Sequence, residues 1–395
     1  MADQVDLPAL TYLSIDSLAE GVGASQIVPY VVKLARRGID VTLHTFEKVG
    51  PRKATAARLR EADVRWHPHP FGRFGQFGGL GRALRGVPFA RGAELLHARG
   101  DLPAAAAILS GHSHWVWDVR GLWADERIAA GSLKHGSVQE HVLRKIERAA
   151  ARRSGGIVTL SDKGLGTLVE RHGSLVRAKS RVITTCVDLG LFRVAAMPDI
   201  DRVSLLISGS LSARYDVPLM IRLAEVMRRR VPCDLVAFVP GTSVWDPELG
   251  AAGVFPRSAL PEEMPEHTAA AHAGLAMFGA DPGGSLRASM PTKIGELLAC
   301  GRPVVVTEGV GDMDGLLADH DCGVVLQRPG VAGSDFLTGA RMDAVLDAAC
   351  DDLLRILEDP RTPARCRALA EEHFDLEAGV DALVGLYRNV FSGGS

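Results

Sequence analysis

Several signposts are scarce in this chain of 395 residues, and each shortage removes a class of protein. Cysteines occur at 186, 233, 300, 322, 350 and 366, mostly inside apolar runs and with no C-x-x-C pair, which excludes a disulfide scaffold and reads as reduced core thiols in a cytoplasmic chain. Charge of one sign is not in excess: the net is −2, so no overall field calls for nucleic acid. No apolar stretch reaches the about 18 residues of a spanning helix. The first residues also lack a basic segment followed by a long apolar run, so no signal peptide is expected. Short repeats and low-complexity tracts are missing too. What remains is an ordinary balance, 47% hydrophobic and 23% charged, over a length sufficient for two to three domains with cores of their own.

Short apolar runs alternate with longer helical patterns throughout. Leu10 to Ile15 reads as a buried strand, Asp16 to Ser25 as a loop, Gln26 to Arg37 as an amphipathic helix stopped by Gly38, and Ile39 to Phe46 as the next strand. Further strands are expected near Glu94–His97, Trp115–Val119, Gly156–Leu160 and Arg181–Thr185, with helices between them such as Val138 to Arg153. A second cycle starts at Ser204–Gly209 and runs through Asp234–Val239, Ala273–Phe278, Pro303–Val306 and Gly323–Leu326. Two such series imply two doubly wound α/β domains, whose ligand edges are the carboxyl ends of the strands. The boundary is expected between Phe192 and Val203, where Met197-Pro198-Asp199 breaks the pattern, giving domains at 1–195 and 200–375 and a terminal helix in 376–395. The glycine-rich run from Phe71 to Gly86 reads as a mobile loop.

The stretch Met290-Pro291-Thr292-Lys293-Ile294-Gly295-Glu296-Leu297-Leu298-Ala299-Cys300-Gly301-Arg302-Pro303 carries the most chemistry. Ser289 suits a helix cap, Pro291 the first turn and Gly301 the left-handed stop. Ile294, Leu297, Leu298 and Gly301 repeat at helical spacing and form the packed face, leaving Thr292, Lys293 and Glu296 to point elsewhere. The first-turn N–H groups, the positive end of the helix dipole and the Lys293 ammonium then converge where a diphosphate fits, and Glu296 could accept hydrogen bonds from sugar hydroxyls. Helix starts of this kind also occur in proteins that bind nothing.

This stretch resembles the donor site of retaining glycosyltransferases of the family 4 type, relatives of glycogen synthase and phosphatidylinositol mannosyltransferase, which have the GT-B fold: α/β, two Rossmann-like domains facing a cleft, with the last helix crossing back onto the first domain. The resemblance implies that Thr292 and Lys293 hold a nucleotide diphosphate and Glu296 the ribose. Ser208-Gly209-Ser210-Leu211-Ser212-Ala213-Arg214 occupies the place where members of the family hold phosphates, so Ser210 and Arg214 join the donor list, Arg214 as a second cation. The loop with Gly23 would close over donor and acceptor, although a plain tight turn explains that glycine equally. Leu95-Leu96-His97-Ala98-Arg99 resembles a segment in which many members carry a functional histidine at or near the Arg99 position and some read His-Ala-Arg as here; His97 is either a functional group or a hydrogen-bonded strand-end histidine. Asp118-Val119-Arg120-Gly121-Leu122-Trp123 matches another strand end, where Asp118 and Arg120 form either a structural ion pair or part of the site. His97, Arg99 and Arg120 are therefore expected near the transferred sugar or the acceptor. The chain departs from the family's Glu-x7-Glu pair, because the first Glu falls on Ala288; backbone groups around Gly283–Arg287, including Gly284 and Ser285, could replace some of its contacts.

The implied activity is transfer of a hexose from a nucleotide-diphosphate sugar, UDP-sugar favoured, to a small-molecule or glycan acceptor held by residues 1–195, with retention and without cofactor or metal. The His67-Pro68-His69-Pro70 and His112-Ser113-His114 runs show two ligands each where four are expected, so neither is read as a metal site. Gly21-Val22-Gly23 is not the G-x-G-x-x-G of an NAD site. The basic stretch Arg52 to Arg91 fits a solvated face, an anionic acceptor or a weak peripheral membrane contact, the first being the simplest. Two competing readings stay open: a GT-B nucleotide-sugar epimerase, and a catalytically silent nucleotide-sugar binding protein.

Overall fold

Runs of three to seven residues, most of them apolar, become the parallel strands of two separate sheets. The computed structural model describes residues 7–19, 21–50, 52–72, 78–241, 243–281, 283–327 and 340–393. Among these, the first sheet comprises β1 (Leu10–Ser14), β2 (Val41–Glu47), β3 (Arg65–Pro70), β4 (Leu95–Arg99), β5 (Trp115–Asp118), β6 (Gly156–Thr159) and β7 (Ser180–Val182), in the order β3-β2-β1-β4-β5-β6-β7. The second comprises β8 (Val203–Ser208), β9 (Cys233–Phe238), β10 (Ala273–Ala276), β11 (Val304–Thr307) and β12 (Gly323–Leu326), in the order β12-β11-β10-β8-β9. Each order reverses once, between β1 and β4 in the first sheet and between β8 and β10 in the second. Crevices at the carboxyl ends of strands form at such reversals.

The chain divides into a leading unit, Met1–Thr184 with Ser285–Ser289 and Leu376–Ser395, and a trailing unit, Thr185–Gly284 with Met290–Asp375. The first division falls ahead of the Phe192–Val203 segment expected from sequence, for a visible reason. Val187 N donates to Phe374 O, Ala195 N donates to Cys300 O, and the buried Arg302 guanidinium donates to the carbonyls of Ala195, Ala196 and Ala269. Residues 185–196 are thereby tied into the trailing unit. Ser285–Ser289 belongs to the leading unit because Ser161 Oγ donates to Arg287 O and Ala288 packs in the core around Trp117, Leu165 and Leu168. The terminal helix Leu376–Ser392 also joins the leading unit, lying against the helix Val28–Arg36, which agrees with the return expected for the last helix.

Four local expectations are corrected. The strand β3 was not expected, because Pro68 and Pro70 punctuate it; it survives as an edge strand, where these two residues, spaced by the strand period, need no ladder donor on the open side. Residues Gly21 to Ser25, read as loop, belong to a short helix, Gly21–Gln26. The Phe71–Gly86 run, read as a mobile loop, is helical from Gly78 to Arg91, while residues 73–77 lie outside the described residues. Its glycines serve close packing instead of freedom: a β-carbon at Gly86 would lie 3.1 Å from Ala106 Cβ and 3.2 Å from Leu13 Cδ2. Finally, Ser289 caps nothing in the next helix, which runs from Thr292 to Ala299 with Pro291 at the cap position and no side-chain cap. Its far end matches the expectation, since Gly301 at φ +77° donates to Leu298 O and Arg302 N donates to Leu297 O, a Schellman stop.

Candidate functional site

In the trailing unit the helix Thr292–Ala299 is set against β10 with almost no clearance. Gly274 makes this approach feasible, for a β-carbon there would lie 2.0 Å from Leu297 Cδ1. Ile294, Leu297 and Leu298 are buried as the helical spacing required, and Gly295 is pressed against Phe374 and Val187. Lys293 is buried as well, 8% exposed, and its ammonium is turned toward the loop after β8. Nζ finds no hydrogen-bond acceptor. It stands 4.2 Å from the centroid of the Tyr215 ring, which stacks on Phe278 at 4.4 Å. A β-carbon at Gly209, a residue with φ +74°, would be 3.9 Å from Nζ, so glycine here both accepts the left-handed turn and keeps the space open. A buried cation with no acceptor is expensive to maintain unless something else supplies the negative charge. The half-buried Glu296, one turn on, is pushed up to about 7 by its burial, with Lys293 pulling the other way.

Thr292 begins the helix half-buried, and no side chain occupies its first turn as a cap. Ser210 is exposed beside Gly209. Arg214 is half-buried and uses its carbonyl to accept from Gly279 N at 2.7 Å. Gly284, with φ +68°, ends a stretch of the trailing unit, whereas Ser285 is fully buried in the leading unit. The structure thus brings Lys293 to Gly209 at the β8/β10 reversal and does not gather Ser285 with them in that unit. Tyr215 was not singled out from the sequence; an aromatic a few residues past a strand end carries no signal until the fold stacks it under an ammonium.

In the leading unit the β1/β4 reversal is filled by a buried polar cluster. Strand register puts Tyr12 beside His97 and Arg99 beside Asp118. His97 and Arg99 are both buried at the end of β4, 1% and 3% exposed, and His97 is hydrogen-bonded there. His97 Nε2 lies 3.1 Å from Asp118 Oδ2 and Nδ1 lies 2.9 Å from the Tyr387 hydroxyl, while the imidazole stacks on Tyr12 at 4.2 Å. Arg99 donates to Asp118 Oδ2 at 3.3 Å and to Asp16 Oδ2 at 3.2 Å. Arg120 donates to Asp118 Oδ1 at 3.3 Å and to Gln26 Oε1 at 3.1 Å.

The electrostatics follow from this packing. Burial works to raise the Asp118 carboxyl, but Arg120, His97 and Arg99 outweigh it and hold the group well below the usual carboxylate range. For His97 burial wins over the Asp118 contact, so the ring is held neutral. Burial pushes Tyr12 up to about 12. A small pocket opens here, lined by Tyr12, Gln26, Tyr30, Arg120, Ile183 and Leu383 among others. Two phenols, an amide and part of a guanidinium stand on its wall, and the space they enclose is about that of one water. Gly23 is not part of that wall; its missing side chain accommodates the chain itself, since a β-carbon would lie 2.1 Å from Ser17 O.

His67 and His69 line one face of β3 and stack on His44, with His44 Nδ1 and His69 Nε2 3.0 Å apart. No helix among the described residues is long and apolar enough to cross a membrane.

Two doubly wound α/β units in one chain, each with its polar site at a strand-order reversal, and a terminal helix returning to the leading unit define a GT-B architecture. Neither a protein-family model nor a curated protein matches the sequence. Solved structures do match the fold. HepE of Anabaena in complex with UDP-glucose is similar at a TM-score of 0.67, with 14% identity, over 96% of this chain and 98% of that one. Sucrose-phosphate synthase from Thermosynechococcus elongatus is similar at 0.66, with 16% identity, over 98% of this chain and 100% of that one. WaaG, a glycosyltransferase involved in lipopolysaccharide biosynthesis, is similar at 0.62, with 14% identity, over 94% and 99%. The likeness is one of fold along nearly the whole of each chain.

Proposed function

We propose that this protein is a glycosyltransferase that takes a hexose from a nucleotide-diphosphate sugar, a UDP-sugar by preference, and passes it with retention to a small-molecule or glycan acceptor, in the manner of the family 4 enzymes. The single observation that carries the reading is the Lys293 ammonium, buried without an acceptor at the start of a helix and at the strand-order reversal of the trailing unit. A diphosphate supplies the missing negative charge. When the nucleoside diphosphate leaves, charge develops on its β-phosphate oxygen, and a cation and N–H groups already in place stabilise that charge without reorganising. Glu296 accepts the ribose hydroxyls as a carboxylate, and Arg214 adds a second positive group near the phosphates. The acceptor belongs to the leading unit, with Arg120 and the Tyr12 hydroxyl as donors toward it. The UDP and UDP-glucose bound by the structural neighbour HepE support the choice of nucleotide.

Isothermal titration of UDP, GDP, dTDP and UDP-glucose into the wild type, Lys293→Ala and Glu296→Ala tests the reading. One nucleotide is expected to bind the wild type and to lose most of its affinity in both variants. Equal binding to all three proteins would put the donor site elsewhere.

A further inference from the structure

The helix Leu376–Ser392 sends one polar side chain into the interior of the leading unit, Tyr387, which is fully buried. A buried phenol generally keeps a partner for its hydroxyl, and here the partner is His97 Nδ1 at 2.9 Å, the two rings meeting edge-on. Direction follows from the neighbours. Asp118 is a carboxylate that only accepts, so His97 Nε2 carries the hydrogen, and the neutral ring leaves Nδ1 as an acceptor for the Tyr387 O–H. The ring is therefore fixed by three elements: β1 through the Tyr12 stack, β5 through Asp118, and the terminal helix through Tyr387. Asp118 in turn takes His97 and Arg99 on Oδ2 and Arg120 on Oδ1.

We propose that Tyr387 is a positioning residue for the leading unit's site: its hydroxyl holds the His97 ring, whose tautomer Asp118 sets, in one orientation, and His97 through Asp118 sets the guanidinium of Arg120 that lines the pocket. The assignment extends the reading of that pocket as the acceptor side. It gives the returning helix a chemical task besides covering the sheet. The other charged and titratable groups facing His97 are Tyr12, Asp16, Arg99, Asp118 and Arg120, all from β1, β4, β5 and the loops after them. Removing the Tyr387 hydroxyl leaves Nδ1 buried without a donor and the ring held only by Asp118 and the Tyr12 stack.

The test compares the full chain with Tyr387→Phe, which keeps the ring and its packing. In ¹⁵N-histidine-labelled protein, with His97 assigned through His97→Asn, the wild type is expected to show a protonated Nε2 and a bare, hydrogen-bonded Nδ1 from about pH 6 to about pH 8, and Tyr387→Phe to keep the hydrogen on Nε2 and show a displaced Nδ1 resonance. Release of UDP from UDP-glucose, with water as acceptor, is expected to fall about tenfold in kcat in the variant, while the Kd for UDP stays unchanged. Identical His97 nitrogens in both proteins overturn the proposal, as does a displaced Nδ1 resonance with unaltered turnover. If UDP binds neither protein, the donor reading fails, and the nitrogen shifts still decide the role of Tyr387.

Discussion

Replacing Lys293 by methionine separates what this residue does for the fold from what it does for a ligand. The side chain is buried, its Nζ has no hydrogen-bond acceptor, and it is attracted by the Tyr215 ring at 4.2 Å and by the Glu296 carboxyl one turn on. Leaving a buried donor unsatisfied costs about 1–3 kcal/mol, and more for a charged group. The cation–π contact returns about 0.5–2 kcal/mol. Methionine fills a similar volume with an unbranched apolar chain and removes both terms, so Lys293→Met is expected to be more stable by about 1 kcal/mol, a rise in Tm of about 2–4 °C. Binding moves the other way. A charge-assisted hydrogen bond to phosphate contributes about 1.5–3 kcal/mol, so the Kd for UDP should weaken by roughly 10- to 150-fold. Differential scanning calorimetry and titration calorimetry on the same samples read the two effects. A variant that is less stable and binds UDP as tightly as the wild type would refute the argument, because it would make Lys293 a structural prop for Tyr215.

Glu296, raised to about 7 by burial, binds ribose hydroxyls best as a carboxylate, so UDP affinity should decline as pH falls below about 7, and Glu296→Gln should flatten that profile in titrations at several pH values. The same raised value makes Glu296 stabilising only in its protonated form. Its contribution is complete below the ordinary glutamate range and is lost as pH rises through about 7, so Glu296→Gln should raise Tm at pH 8 and leave it unchanged at pH 4. Gly274→Ala forces a β-carbon to within 2.0 Å of Leu297 Cδ1 and pushes the Lys293 helix off its strand; stability should drop by about 1–3 kcal/mol and UDP affinity with it, the opposite pairing to Lys293→Met.

The sequence by itself determined the two strand series, because parallel strands buried on both faces are continuous apolar runs and their crossovers are amphipathic helices, both readable locally. It also determined the Lys293 helix to within a residue or two, since Gly301 and the Ile294, Leu297 and Leu298 spacing are local signals. It could not supply β3, whose prolines forbid a central strand and are tolerated only because that strand lies at an edge, a matter of sheet order. Nor could it separate glycines that confer freedom from those, such as Gly86 and Gly23, that let backbones touch. Only the tertiary structure decided that His97 and Arg99 are buried and spend their hydrogen bonds on Asp118, Asp16 and Tyr387. The His97–Tyr387 contact joins residues 290 positions apart, and no pattern within a single element encodes such a pairing. Helix and strand periods report which side of an element meets the core; which polar groups meet each other there depends on how elements distant in sequence are brought side by side.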